Sequence, residues 1–145
     1  MNASASNVAV ITRQDSNGQP VLLVIRRAKE PAQGTLDLPG GFADAGETAE
    51  EGVRREVLEE TGLTVTKTTY LFSDINTYPY GGLLIPTQDL FFLCEVADYS
   101  PLQAMDDAAD YQWIPLADLQ PELFGLDSVR RGIEKILKKN KKTCI

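Results

Sequence analysis

Apolar residues in this chain fall into short β-branched runs separated by turn formers, interrupted by two longer stretches with helical spacing. Residues 7–13 and 21–27 are two such runs. Between them lies Gln14-Asp15-Ser16-Asn17-Gly18-Gln19, whose Asn-Gly pair is a strong hairpin signal, so two antiparallel strands are predicted to open the chain. A loop over 28–38 leads to Pro39-Gly40-Gly41, and a helix is predicted over 48–61. Further strands are predicted over 64–72, 88–97 and 111–114, with a second helix over 126–139 entered through Asp127 or Ser128. Residues 73–86 stand apart. Asn76-Thr77-Tyr78-Pro79-Tyr80-Gly81-Gly82 is too rich in turn formers for a central strand and too aromatic for an idle loop. Strands flanking two helices in this mixed order predict an α/β fold, an α/β/α sandwich with a mixed sheet. No repeat or linker divides the 145 residues, so 1–145 reads as one domain, long enough to bury roughly two-thirds of its unfolded surface.

The first helix carries its own boundary signals. Thr48 with Glu51 reads as a capping box, and Gly62 suits the left-handed cap that ends a helix. Within it Glu56, Glu59 and Glu60 stand at i, i+3 and i+4, so they share one face within a turn. Like charges at that spacing repel by a few tenths of a kcal/mol per pair, which a hard divalent cation would neutralise. Pro39-Gly40-Gly41 allows close approach of backbone to an ion or phosphate, and its carbonyls are good magnesium ligands.

Composition narrows the chemistry. With no histidine, a histidine base or nucleophile, a serine-type triad and an imidazole zinc site are all excluded. Carboxylates, lysine, tyrosine or metal-bound water remain. A net charge of −7 argues against a long nucleic acid partner but not against a small phosphorylated ligand bridged by metal. Cys94 and Cys144 form neither a metal cluster nor a disulfide framework, which suits a reducing cytoplasm. The first seven residues have no positive charge or long apolar region, and no stretch approaches the roughly 20 apolar residues of a membrane span, so neither secretion nor a membrane partner is expected. Lys135, Lys138, Lys139, Lys141 and Lys142 read as a solvated helix end favoured by the dipole.

Gly41, Glu47, Arg55, Glu56, Val57, Glu59, Glu60, Gly62 and Leu63 resemble the Nudix box at every fixed position, with its gaps of five, seven and one residues. The resemblance implies a Nudix hydrolase, cleaving the pyrophosphate of a nucleoside diphosphate linked to another moiety with Mg2+ or Mn2+. It also implies that Glu56, Glu59 and Glu60 ligate metal with the Gly40 carbonyl, and that Glu47 and Arg55 support them. Asp107 and Asp110 lie six and three residues before Trp113, offsets at which related enzymes place a base or last ligand. Here they are aspartates, a methylene shorter than the usual glutamate, and with Asp106 they also fit a solvated acidic loop. Glu95 could face either way.

Substrate contacts are expected outside the box. Arg26 and Arg27 end the second strand, where they either grip phosphate with forked donors or are exposed strand-end charges. Tyr78 and Tyr80 either stack on a base or pack a long loop on the sheet. Tyr78-Pro79-Tyr80 is loosely similar to the aromatic and proline signature of NADH pyrophosphatases, implying a dinucleotide, ADP-ribose or nucleotide sugar. A nucleoside triphosphate sanitiser and a non-catalytic ADP-ribose sensor are the alternatives; many relatives dimerise, which leaves a homodimer open.

Overall fold

A computed structural model describes residues 2–105 and 110–142. Its first sheet has the order β5-β1-β7-β6, built from β1 (Ser4–Val10), β5 (Gly40–Phe42), β6 (Val65–Tyr80) and β7 (Leu83–Val96). It is mixed, since β1 runs parallel to β7 and antiparallel to β5. In the second sheet β3 (Pro20–Arg26) pairs antiparallel with β2 (Thr12–Gln14), β4 (Leu36–Asp37) and β8 (Tyr111–Pro115).

Alternation along β1 sets the layers. Ala9 and Ile11 face Val53 and Val57 of α1 (Ala49–Thr61), while Val8 and Val10 face Val129, Ile133 and Ile136 of α3 (Asp127–Lys142). Helices therefore cover both faces, as predicted for an α/β/α sandwich. A short α2 (Ser100–Met105) adds Leu102 to the α1 layer. Among the described residues, no helix is long and apolar enough to cross a membrane.

Three segments depart from the sequence expectation. The run 7–13 is two strands, because the chain leaves one sheet at Ile11 and enters the other, with Leu23 N–H donating to the Ile11 carbonyl at 2.9 Å. The predicted loop 28–38 ends in the short strand β4. Residues 73–86 are neither loop nor turn cluster but the outer half of the β6–β7 hairpin, paired Tyr78↔Ile85 and Tyr80↔Leu83. Gly81 and Gly82, at φ 57° and 79°, supply the two positive-φ positions of a tight hairpin turn. Pro79 is tolerated because β6 is an edge strand, and Pro86 because β1 pairs with β7 only from Thr87 onward.

Candidate active site

The capping box of α1 forms in full: Glu51 N–H donates to Thr48 Oγ1 at 3.1 Å and Thr48 N–H to Glu51 Oε1 at 2.8 Å. Gly62 closes the helix at φ 76°. With both ends fixed, Arg55 and the glutamates project toward the Gly40–Gly41 strand. Arg55 donates to both oxygens of Glu47, from Nη2 at 2.8 Å and Nε at 3.0 Å. Its Nη1 reaches Glu56 at 3.0 Å and Glu59 at 3.2 Å, and Nη2 pairs with Asp44 at 3.4 Å. Hydrogen bonds from Arg55 and from the Asp44 amide hold Glu47 at a pKa of about 2. Glu47 and Arg55 thus brace the loop.

Glu60 turns inward, accepting from Gly40 N–H at 3.2 Å. Burial pushes its carboxyl up to about 8, the Gly40 amide opposes, and Glu56, Asp37 and Glu59 add repulsion. Its backbone carbonyl accepts from the Tyr111 hydroxyl, tying the helix end to β8. Glu56 lies against Gly41, where a Cβ would come within 2.7 Å of Oε1. At Gly40 a Cβ would sit 2.0 Å from the Asn7 carbonyl oxygen, so only glycine fits there. Among the described residues, no three carboxylates close around a common point. The physical reason is Arg55, which draws Glu56 and Glu59 to itself while Glu60 takes the amide.

Gly40 and Gly41 also line a cavity of about 120 Å³ on the α3 face. Arg27 forms one wall. It pairs with Asp37 at 2.6 Å, donates to the Pro31 carbonyl at 2.6 Å and to the Tyr78 hydroxyl at 3.0 Å. Burial works against its charge, but Asp37 and Tyr78 outweigh that and raise its pKa. Asp89, 5% exposed, accepts from Ser128 at the start of α3, and Thr87 also hydrogen-bonds it.

The structure brings Gly40, Glu47, Arg55, Glu56, Glu59 and Glu60 together, and places Arg27 and Tyr78 in the adjoining cavity. Arg26 stands apart, donating to the Gly34 carbonyl at 2.7 Å and facing Asp110 at 3.4 Å. Asp110 is thereby directed to Arg26 rather than to the glutamates. Tyr80 is 64% exposed, touching Phe42 with ring centroids 6.5 Å apart. Glu95 faces outward beside Lys67. Lys135 leaves the expected solvated cluster to pair with Asp74 at 3.0 Å. Asp107 and Asp106 lie outside the described residues. Sequence reasoning did not single out Asp37, Asn76 or Asp89; the available signal was a lone aspartate within the apolar run 88–97.

Several known proteins are similar to this chain. An ADP-ribose pyrophosphatase from Methanocaldococcus jannaschii is 34% identical over 74% of this chain and 62% of its own length. An NAD-capped RNA hydrolase NudC from Pseudomonas entomophila is 30% identical over 90% of this chain and 43% of its own. The chain therefore spans less than two-thirds of either relative. Among solved structures, Shewanella oneidensis NrtR superposes with a TM-score of 0.75 at 22% identity, covering 96% of this chain and 64% of that one. A MutT NUDIX hydrolase from Burkholderia pseudomallei superposes at 0.65 with 24% identity, covering 94% and 99%. Both show a shared fold. The NUDIX domain matches residues 3–134, the span holding the braced loop, the carboxylate helix and the cavity, and this chain belongs to that family.

Proposed function

We propose that this protein is a divalent-metal-dependent pyrophosphohydrolase acting on a nucleoside diphosphate linked to a second moiety, of the ADP-ribose or dinucleotide kind. The observation that carries it is the carboxylate face of α1, set against Gly40 and Gly41, which also line the cavity. The donor set fits a hard cation: oxygens only, with Glu60 repelled by Glu56 and Glu59 in a buried position. Glu56, Glu59, Glu60 and the Gly40 carbonyl would hold it, and Nudix hydrolases generally use such ions. When bound, it supplies Lewis acidity toward a phosphate oxygen and lowers the pKa of an attacking water.

The remaining work falls to the chain's own groups. Arg55 orients Glu56 and Glu59 and, through Glu47, holds the loop that precedes them. Arg27 fixes the Tyr78 ring as a wall, its planar fork spent on Asp37, Pro31 and Tyr78. The resemblance to an ADP-ribose pyrophosphatase supports the substrate class.

Product chromatography tests the reading, with Mg2+ or Mn2+ and a panel of ADP-ribose, NADH, nucleotide sugars and nucleoside triphosphates. Release of a nucleoside monophosphate from ADP-ribose or NADH is the expected result. Cleavage of triphosphates alone would assign a nucleotide-pool enzyme, and tight binding without turnover a sensor.

A further inference from the structure

The α3-face cavity contains polar groups that the hydrolytic chemistry does not use. Its floor follows from strand register: Asn76 opposes Thr87 across β6 and β7, and Asp89 opposes Ser6 across β7 and β1. Residues two apart on a strand share a face, so Asn76 and Asp89 are diagonal neighbours, with roughly 7–8 Å between positions of this kind. Asp89 is buried and held by Ser128 and Thr87, yet a carboxylate has about four lone-pair sites, so two hydroxyl donors leave it accepting capacity. The Asn76 side-chain amide has no hydrogen-bond partner among the described residues.

Apolar surface completes the cavity. Phe42 and Tyr78 meet edge to face with centroids 5.4 Å apart, and Leu126 and Val129 close it from α3. At about 120 Å³ the space is well below the 300–1,000 Å³ of sites enclosing a whole drug-sized ligand, but several times the roughly 30 Å³ share of one water. It suits one flat ring system.

We propose that this cavity seats an adenine-type base, with Asn76 and Asp89 reading its exocyclic amine. An asparagine amide matches an amine beside a ring nitrogen: Oδ1 accepts one amine N–H while Nδ2 donates to the ring nitrogen. Asp89 accepts the second amine N–H. Hypoxanthine places a carbonyl oxygen at the same position, facing a carboxylate that cannot donate to it. A base so placed directs its diphosphate past Gly40 and Gly41 toward Glu56, which deepens the pyrophosphohydrolase reading and rests on it for the other half of the substrate.

The test compares kcat/KM for ADP-ribose and inosine diphosphate ribose in the full chain with Mg2+. The expected adenine preference is about tenfold or more, the usual worth of one bidentate base contact. Asn76→Leu should lower turnover of the adenine substrate about tenfold and that of the hypoxanthine substrate by less, because Asp89 already opposes the hypoxanthine oxygen. Asp89→Asn should shift preference toward hypoxanthine, since an amide can donate to its oxygen. Thermal melts check the fold of Asp89→Asn, and Asn76→Leu, at a partly exposed position, carries the test if that variant unfolds. Equal turnover of the two substrates by the native protein, or equal loss of both in Asn76→Leu, would overturn the proposal. If neither is hydrolysed, the hydrolase reading has failed separately, and calorimetric titration with AMP and IMP decides. A tenfold preference for AMP that Asn76→Leu removes upholds the base pocket; equal binding or none overturns it.

Discussion

On the α1 face the charged groups lie within one stretch of chain from Asp44 to Glu60, and Arg55 binds Asp44, Glu47, Glu56 and Glu59 there. On the α3 face several polar contacts join residues far apart: Arg27 with Tyr78 across 51 positions, Ser128 with Asp89 across 39, Arg131 with Asp74 across 57. The first arrangement comes with a helix and its caps; the second exists only once β1, β3, β6, β7 and α3 have assembled. Variants on the α1 face should therefore change chemistry and spare the fold. Those on the α3 face should change stability or base preference.

Glu60→Gln is the strongest way to break that division. It removes a ligand charge without changing shape, and turnover should fall roughly a thousandfold, beyond the 10–100-fold typical of groups that only support a metal site. Thermal melts should show the fold retained; an active variant would remove Glu60 from the metal site. On the other face, Arg27→Met leaves Asp37 buried without its partner and should cost about 3 kcal/mol in urea denaturation with an unchanged m-value. A variant of native stability would show that the α3 face does not depend on this pair.

Arg55→Lys sharpens the comparison further, because an ammonium cannot hold Glu47 by two parallel bonds while also reaching Glu56 and Glu59. Activity should drop about 10- to 100-fold with little change in melting temperature. The smallest effect concerns acid stability. Burial raises the Asp74 pKa, but Arg131 and Lys135 outweigh it and hold the carboxylate at about 2, against an ordinary 3.8. A depressed folded-state pKa gives stability that is complete above the unfolded value. Asp74 should therefore contribute up to about 2 kcal/mol above pH 4, lost as pH falls from 3.8 toward 2. Asp74→Asn should flatten that part of the stability curve.

The same division explains what could be read from sequence. Thr48, Glu51 and Gly62 fix the helix by contacts within three or four residues, so its limits and the shared face of Glu56, Glu59 and Glu60 were legible. The dispersal of those carboxylates was not, because it depends on where one arginine settles. Asn76 lay in a segment whose prolines and glycines argue for a loop; its strand character comes from pairing with β7 and from an edge where missing amides cost little. Asp37 and Asp89 gave no local periodic signal, and their partners were set by register between distant strands.

That hairpin has a consequence for local stability. The β6–β7 ladder continues from Asn76↔Thr87 to Tyr80↔Leu83, whereas β1 supports β7 only from Thr87 inward. Beyond that line the arm is two-stranded, an arrangement that is marginal in water on its own. Amide hydrogens past the Asn76↔Thr87 rung should exchange by local opening long before those of the region where β1 also pairs with β7, which require a larger unfolding. Tyr78 stands in the soft part and Asn76 on its border, so a base held between them would slow exchange out to the Gly81–Gly82 turn.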